Sequence, residues 1–277
     1  AVIDATEIET AVIASLGADG NEISDFEADS LTSLTITGSK NLTVTLNDSA
    51  AVATIPLTTV DASAFTGDSL TVTAVEADSG VTVTTGSEAL SVTVGDGANT
   101  ITGTTGDDEI TTDSGADTIV SYGGDDTIEG GDGANTITVT DGENDIDGGE
   151  GVDTITAGNG NNTIDGGDGA DVIVAGTGNN TVTNTAGNST ITLGNGTNTV
   201  NLTAGNSTVV TGSGADDINI TAGNNDITAG AGNDTISLGS GNDTVDAGTG
   251  TDTVDFSVDR GTWAGAITDA ETVTATY

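Results

Sequence analysis

Between residues 94 and 255 the chain repeats one apolar position and one glycine every nine residues, with no insertion or deletion, since 255 − 94 + 1 = 162 = 18 × 9. Counting each nonapeptide from one to nine, position four is Gly in all eighteen copies, from Gly97 to Gly250, and position eight is Ile or Val in all eighteen, from Ile101 to Val254. Two columns held in phase for so long are the mark of a repeat architecture, in which each turn buries its apolar side chain only against its neighbours. Gly at a fixed place supplies backbone angles closed to other residues, and the Asn, Asp and Gly around it suit a turn. Positions one to six therefore predict a turn. Positions seven to nine, commonly Thr-Ile-Thr, predict a very short strand with its central side chain inward.

The stacking of the turns follows from an eighteen-residue superperiod. Segments starting at Asn184, Leu202 and Ile220 all continue Thr-Ala-Gly-Asn and resemble one another more than the repeats between them. One coil thus holds two nonapeptides, and repeats n and n+2 stack, giving two parallel sheets and two columns of turns. The expected fold is all-β: a right-handed parallel β-roll, a β-solenoid with 18 residues per coil. Upstream, runs such as LTSLTIT, NLTVTL and SLTVTAV alternate with period two between Gly/Asp/Ser turns, with Pro56 at a break. They predict a β-rich segment over 31–93 that either continues the solenoid or forms a small β-domain feeding it. In the first segment, 1–30, Thr6-Glu-Ile-Glu9 fits a capping box, and Ile8, Val12, Ile13 and Leu16 fall near one helical face, which predicts a short helix over 6–16. Phe256, Trp263 and Tyr277 cluster after the last repeat, so 256–277 is expected to form a cap or linking strand.

Charge changes this picture most. Against 44 acidic residues the chain sets only Lys40 and Arg260, a formal net charge of −42. A compact fold holds so many like charges only with counter-ions, so a cation is expected to be part of the structure. Nucleic acid, anionic lipid and anionic polysaccharide are poor direct partners, because each needs Lys/Arg clusters. With no Cys and no His, disulfides, thiolate metal sites, the common zinc sites and the usual general base are absent. No apolar run is long enough to cross a bilayer as a helix, and no signal peptide opens the chain. Because the sequence starts without Met, a fragment or processed product is expected. Only six aromatics are present, which argues against a wide globular core.

Repeats GGDGADVIV at 166–174, AGAGNDTIS at 229–237 and LGSGNDTVD at 238–246 resemble the GGxGxDxUx nonapeptides of RTX proteins. That resemblance implies a β-roll with calcium ions between stacked turns, held by backbone carbonyls and by the Asp at position six. Here position six is Asp nine times, Asn seven times and Ser twice, so fewer ions than repeats are expected. Elementary chemistry points the same way. An Asx turn accounts for any single Asp, but carboxylates stacked about 4.8 Å apart repel one another unless a hard, oxygen-seeking ion lies between them.

The two-column register places that ion. One column of position-six residues runs Asn99, Asp117, Asn135, Asp153, Asp171, Ser189, Ser207, Asn225, Asp243. The other runs Asp108, Asp126, Asn144, Asn162, Asn180, Asn198, Asp216, Asp234, Asp252. Consecutive carboxylates occur at Asp108/Asp126, Asp153/Asp171, Asp216/Asp234 and Asp234/Asp252, which are expected to hold the tightest sites. Asp117 and Asp243, between uncharged neighbours, are expected to bind weakly or to use other oxygens. The run Asn144–Asn198 and the Ser189/Ser207 pair are expected to be free of calcium, the former as a neutral amide ladder.

The segment LTTVDASAFTGDSLTVTA at 57–74 resembles stretches beside RTX repeats in bacterial S-layer proteins. It implies a secreted structural protein of the bacterial cell surface, self-associating as a lattice or filament, with a cell-surface polysaccharide as a candidate further partner. Acids spread over polar turns do not form the partly apolar cleft a glycosidase needs, and no enzyme is expected. The alternative is a spacer or ice-binding region of a large RTX adhesin, suggested by outward Thr pairs such as Thr100/Thr102 and Thr136/Thr138.

Overall fold

A computed structural model describes residues 2–4, 7–17, 20–47, 54–77, 80–86, 88–256, 266–269 and 272–276, with backbone alone at Val2 and in the last two segments. The chain divides into two compact units, 1–139 and 140–277. Each is a parallel β-solenoid that fits the right-handed β-roll, and the described residues contain strands and turns but no helix. In each unit successive strands alternate between two sheets, so that a strand pairs with the next but one along the chain.

In the first unit one sheet begins at Val2–Asp4 and takes every second strand up to Thr127–Glu129, and the other runs from Thr10–Ser15 to Thr136–Val139. From Thr82 onward the register advances by eighteen residues, with Thr82 beside Thr100, Thr100 beside Thr118 and Thr118 beside Thr136. Before that the coils are longer: Ser33 pairs with Thr59 and Thr59 with Thr82, steps of 26 and 23 residues. The additional residues widen the core, where Phe26, Leu31, Ile55, Leu57 and Phe65 are all buried. The β-rich segment 31–93 is thus a continuation of the solenoid on larger coils.

The helix expected over 6–16 is not formed. Thr10–Ser15 is a strand that pairs in parallel, residue for residue, with Ser33–Gly38. The reason lies in what the apolar residues can bury. A helix would leave the edge of the neighbouring strand Ser33–Gly38 unpaired, whereas a strand here gains a full ladder of hydrogen bonds that suits a β-branched segment. Ile8, Val12 and Leu16 accordingly remain exposed. Thr6 of the capping box lies outside the described residues.

The second unit repeats the pattern from Asp145–Asp147 and Thr154–Ala157 onward, again with an eighteen-residue step, as in Thr163 beside Thr181 and Thr181 beside Thr199. Its core is the column of position-eight side chains, among them Ile155, Ile173, Val182, Ile191, Val200 and Ile218, all buried. Phe256 is buried after the last repeat, while Trp263 and Tyr277 lie outside the described residues.

Alternation extends beyond position eight. Along 171–175 burial alternates strictly, with Asp171, Ile173 and Ala175 inside and Val172 and Val174 outside. Positions six and eight and position one of the following repeat therefore all point inward, as a period of two requires. The core is three positions wide at each strand, and the position-six aspartates belong to it.

Candidate metal centre

Every position-six side chain in the described repeats is buried, the acidic ones as completely as the Asn and Ser. Their register comes from one recurring bond. The side-chain oxygen at position six accepts the backbone N–H of the position-six residue eighteen places earlier: Asp126 Oδ1 from Asp108 N at 2.9 Å, Asp171 Oδ1 from Asp153 N at 2.9 Å, Asp234 Oδ1 from Asp216 N at 2.9 Å and Asp252 Oδ1 from Asp234 N at 2.9 Å. The structure thus brings the four carboxylate pairs together as stacked neighbours. Asp117 Oδ1 takes the N–H of Asn99 at 2.6 Å, and Asp243 Oδ1 takes the backbone and side-chain N–H groups of Asn225. These two stand beside amides, not beside a second acid.

At the Asn rungs the other amide atom finds partners of its own. Asn162 Nδ2 donates to the carbonyls of Gly158 and Gly160 and to Asn180 Oδ1, and Asn180 Nδ2 repeats the set on Gly176, Gly178 and Asn198 Oδ1. Asn198 ends the run by donating to Gly194, Gly196 and Asp216 Oδ1. The amide run is a closed, neutral ladder. Ser189 likewise donates its hydroxyl to Gly169 O, and its N–H goes to Ser207 Oγ.

At Asp rungs an oxygen replaces that NH2, so a donor becomes an acceptor among carbonyls that are themselves acceptors. Asp216, Asp234 and Asp252 each keep a buried Oδ2 with no hydrogen-bond partner, although the residues are 2%, 1% and 0% exposed. Asp117 Oδ2 is also left so. A buried anionic oxygen without a donor costs about 1–3 kcal/mol or more in the low-dielectric interior. Burial accordingly pushes the carboxyls of Asp126 and Asp234 up to about 6, against the opposing pull of the Ser121 hydroxyl and the Asp108 N–H at Asp126 and of the Asp216 N–H at Asp234, with neighbouring acids adding to the rise. Burial raises Asp117 and Asp171 as well.

Among the described residues no three acidic side chains converge. A cation in these gaps would therefore be held by one or two carboxylates together with backbone carbonyls of the turns. Calcium, which takes six to eight oxygens at about 2.3–2.6 Å, supplies the positive charge that such an acceptor-only cage lacks. The orphaned Oδ2 atoms fit it, with Asp216, Asp234 and Asp252 as the residues whose unmet need is plainest.

Asp108 and Asp171 differ. Asp108 Oδ2 accepts the N–H of Thr104 at 2.7 Å and the Ser121 hydroxyl at 2.9 Å, while its Oδ1 accepts the Thr104 hydroxyl at 2.8 Å and Leu90 N at 2.8 Å. Asp171 Oδ2 accepts Asn184 Nδ2 at 3.1 Å. Ser121 and Asn184 both occupy position one, whose inward direction the nonapeptide reading of a three-residue strand misses. The signal for it is the apolar character of that column elsewhere, as at Val139, Ala175, Leu193, Leu202 and Leu238.

The position-four glycines are explained by the same stacking. Gly187, at φ +98°, lies so close to the coil before it that a Cβ there would overlap the Gly169 carbonyl. Turns packed this tightly present their carbonyls to the neighbouring rung.

Comparison with known proteins adds one finding. The family described as RTX calcium-binding nonapeptide repeat (4 copies) matches residues 93–128, 120–155, 147–182, 178–209, 192–219 and 220–254, which together cover 93–254. No curated protein and no solved structure matches the chain.

Proposed function

The chain belongs to the RTX family of calcium-binding nonapeptide repeats, and from that premise we propose that it is structural material of a bacterial cell surface, an S-layer or extracellular filament component that orders and associates as calcium fills its acidic rungs. The observation that carries the proposal is the column Asp216, Asp234, Asp252, where stacked, buried carboxylates each keep an oxygen with no donor. A fold with such a core is poised between two states, and the extracellular medium is where millimolar calcium selects the folded one. Secretion fits the family, and the segment at 57–74 favours the surface-layer subgroup. Catalysis has no part in the proposal, since neither His nor Cys is present and the acids are engaged in the rungs or spread over polar turns.

Association with further copies follows from the ends of a solenoid, which expose unpaired strand edges, and from acidic flanks that calcium can bridge. A cell-surface polysaccharide is a candidate partner for the same flanks through shared calcium. Light scattering across a calcium titration tests the assembly: particle mass should grow with calcium and fall on chelation, whereas a strict monomer at high calcium assigns the roll to a spacer.

One observation favours a second reading. On one sheet of the first unit Thr82/Thr84, Thr100/Thr102 and Thr136/Thr138 stand in register, with Thr118/Val120 between the last two. Such a row of outward Thr could order water as an ice-binding adhesin region does. Val172 and Val174 break the corresponding row in the second unit. Thermal hysteresis in the presence of calcium would support this reading, and its absence removes it.

A further inference from the structure

The position-six aspartates are not equivalent, and among Asp108, Asp171, Asp216 and Asp234 the difference follows a side chain thirteen residues further on. That residue, at position one, lies in the gap into which the Oδ2 of the preceding rung points. For Asp108 it is Ser121 and for Asp171 it is Asn184, and both donate to Oδ2. For Asp216 it is Ala229 and for Asp234 it is Ala247, both buried and neither with a side-chain donor, and both carboxylates keep an orphaned Oδ2. Asp108 is met most fully, because Thr104 adds its N–H and hydroxyl to the Ser121 contact.

We infer that position one sets the calcium demand of each rung: Ser121 (with Thr104) and Asn184 are internal donors that take the place of the ion, so the Asp216/Asp234/Asp252 column loads first and the Asp108 and Asp171 gaps load last. The inference rests on the reading that position-six aspartates hold calcium, and it ranks sites that charge counting alone makes equal, since Asp108/Asp126 and Asp216/Asp234 are both carboxylate pairs. A hydroxyl or amide hydrogen on Oδ2 competes with a cation for the same lone pairs, and displacing it forfeits a hydrogen bond to a charged group. Thr112 and Thr211, thirteen residues after Asn99 and Asn198, face amide rungs that have no Oδ2 to meet, and each sends its hydroxyl instead to a carbonyl of the next coil, Gly130 O at 2.7 Å and Ala229 O at 2.7 Å.

The test is hydrogen exchange read by mass spectrometry on the full chain, titrated with calcium chloride, with bound calcium counted in parallel by equilibrium dialysis. Peptides over 210–254 should become protected at lower free calcium than peptides over 104–126. Ala229→Asn, which places at the Asp216 gap the donor that Asn184 gives Asp171, should raise the calcium midpoint of the 210–236 peptides about tenfold and leave the 104–126 midpoint unchanged. Ser121→Ala should lower the 104–126 midpoint. If Ala229→Asn fails to fold, Ala229→Ser carries the same donor in less volume. Equal midpoints for the two regions, or midpoints that ignore these substitutions while calcium still binds, overturn the inference. A chain that binds no calcium at all overturns it too, by removing the reading beneath it, and the dialysis count tells these two failures apart.

Discussion

At the residue scale the exchange of one NH2 for one oxygen decides how a rung is satisfied. Asn198 gives its Nδ2 to Gly194, Gly196 and Asp216 Oδ1, whereas Asp234, in the same column, has an orphaned Oδ2. Asp234→Asn should therefore stabilise the calcium-free chain, by about 1–3 kcal/mol, and lower the number of ions bound. Denaturant unfolding in chelator and a dialysis count measure the two effects. Burial of these carboxylates gives the calcium-free chain a pH dependence of definite sign. Burial raises the Asp126 and Asp234 carboxyls from the ordinary 3.8 to about 6, so the folded state binds protons more readily than the unfolded one. Their contribution to stability is fully present below about 3.8 and is lost as pH rises through about 6. In chelator the chain should gain ordered structure on acidification across that window. In calcium the direction reverses, because protons compete with the ion, and midpoints measured at pH 5 and pH 7.5 should show calcium binding weaker at the lower pH.

At the element scale, the nonapeptide turn and its strand were legible in the sequence because the two strictest columns carry the two strictest physical demands. Position eight must be apolar and β-branched, and position four must tolerate a backbone almost touching the coil before it. Gly187→Ala tests the second demand. Its Cβ would overlap the Gly169 carbonyl at a φ of +98°, and a loss of about 1–3 kcal/mol is expected in calcium-saturated thermal unfolding, with little loss from a Thr190→Ser control on the exposed face. The eighteen-residue register was equally legible, and with it the stacking of Asp108/Asp126, Asp153/Asp171, Asp216/Asp234 and Asp234/Asp252. What was not legible follows from context. The segment 6–16 carries a helical spacing of Ile8, Val12, Ile13 and Leu16, and only the neighbouring strand Ser33–Gly38 makes it a strand. The inward turn of position one was overlooked because that column mixes Gly, Thr, Ser and Asn with its Val, Ala, Leu and Ile, which dilutes the apolar signal that marks its direction. With it went the donors Ser121 and Asn184.

At the scale of the whole molecule the controlling quantity is the net charge of −42. Most acids face solvent, where salt screens them, but the position-six carboxylates are buried and screened little. Monovalent salt should therefore relieve general repulsion without replacing calcium in folding, and magnesium, which demands a tighter octahedral shell, should replace it poorly. The amide ladder from Asn144 to Asn198 needs no ion, so residual order in chelator should centre on that stretch of the second unit. The central claim, that a divalent cation completes the core by meeting buried carboxylate oxygens, is tested most directly by far-UV circular dichroism of the full chain during a calcium titration from chelator. The account predicts a weak β signal in chelator that rises saturably with calcium and is not reproduced by sodium at equal ionic strength. A complete β spectrum in chelator, unchanged by added calcium, would contradict it.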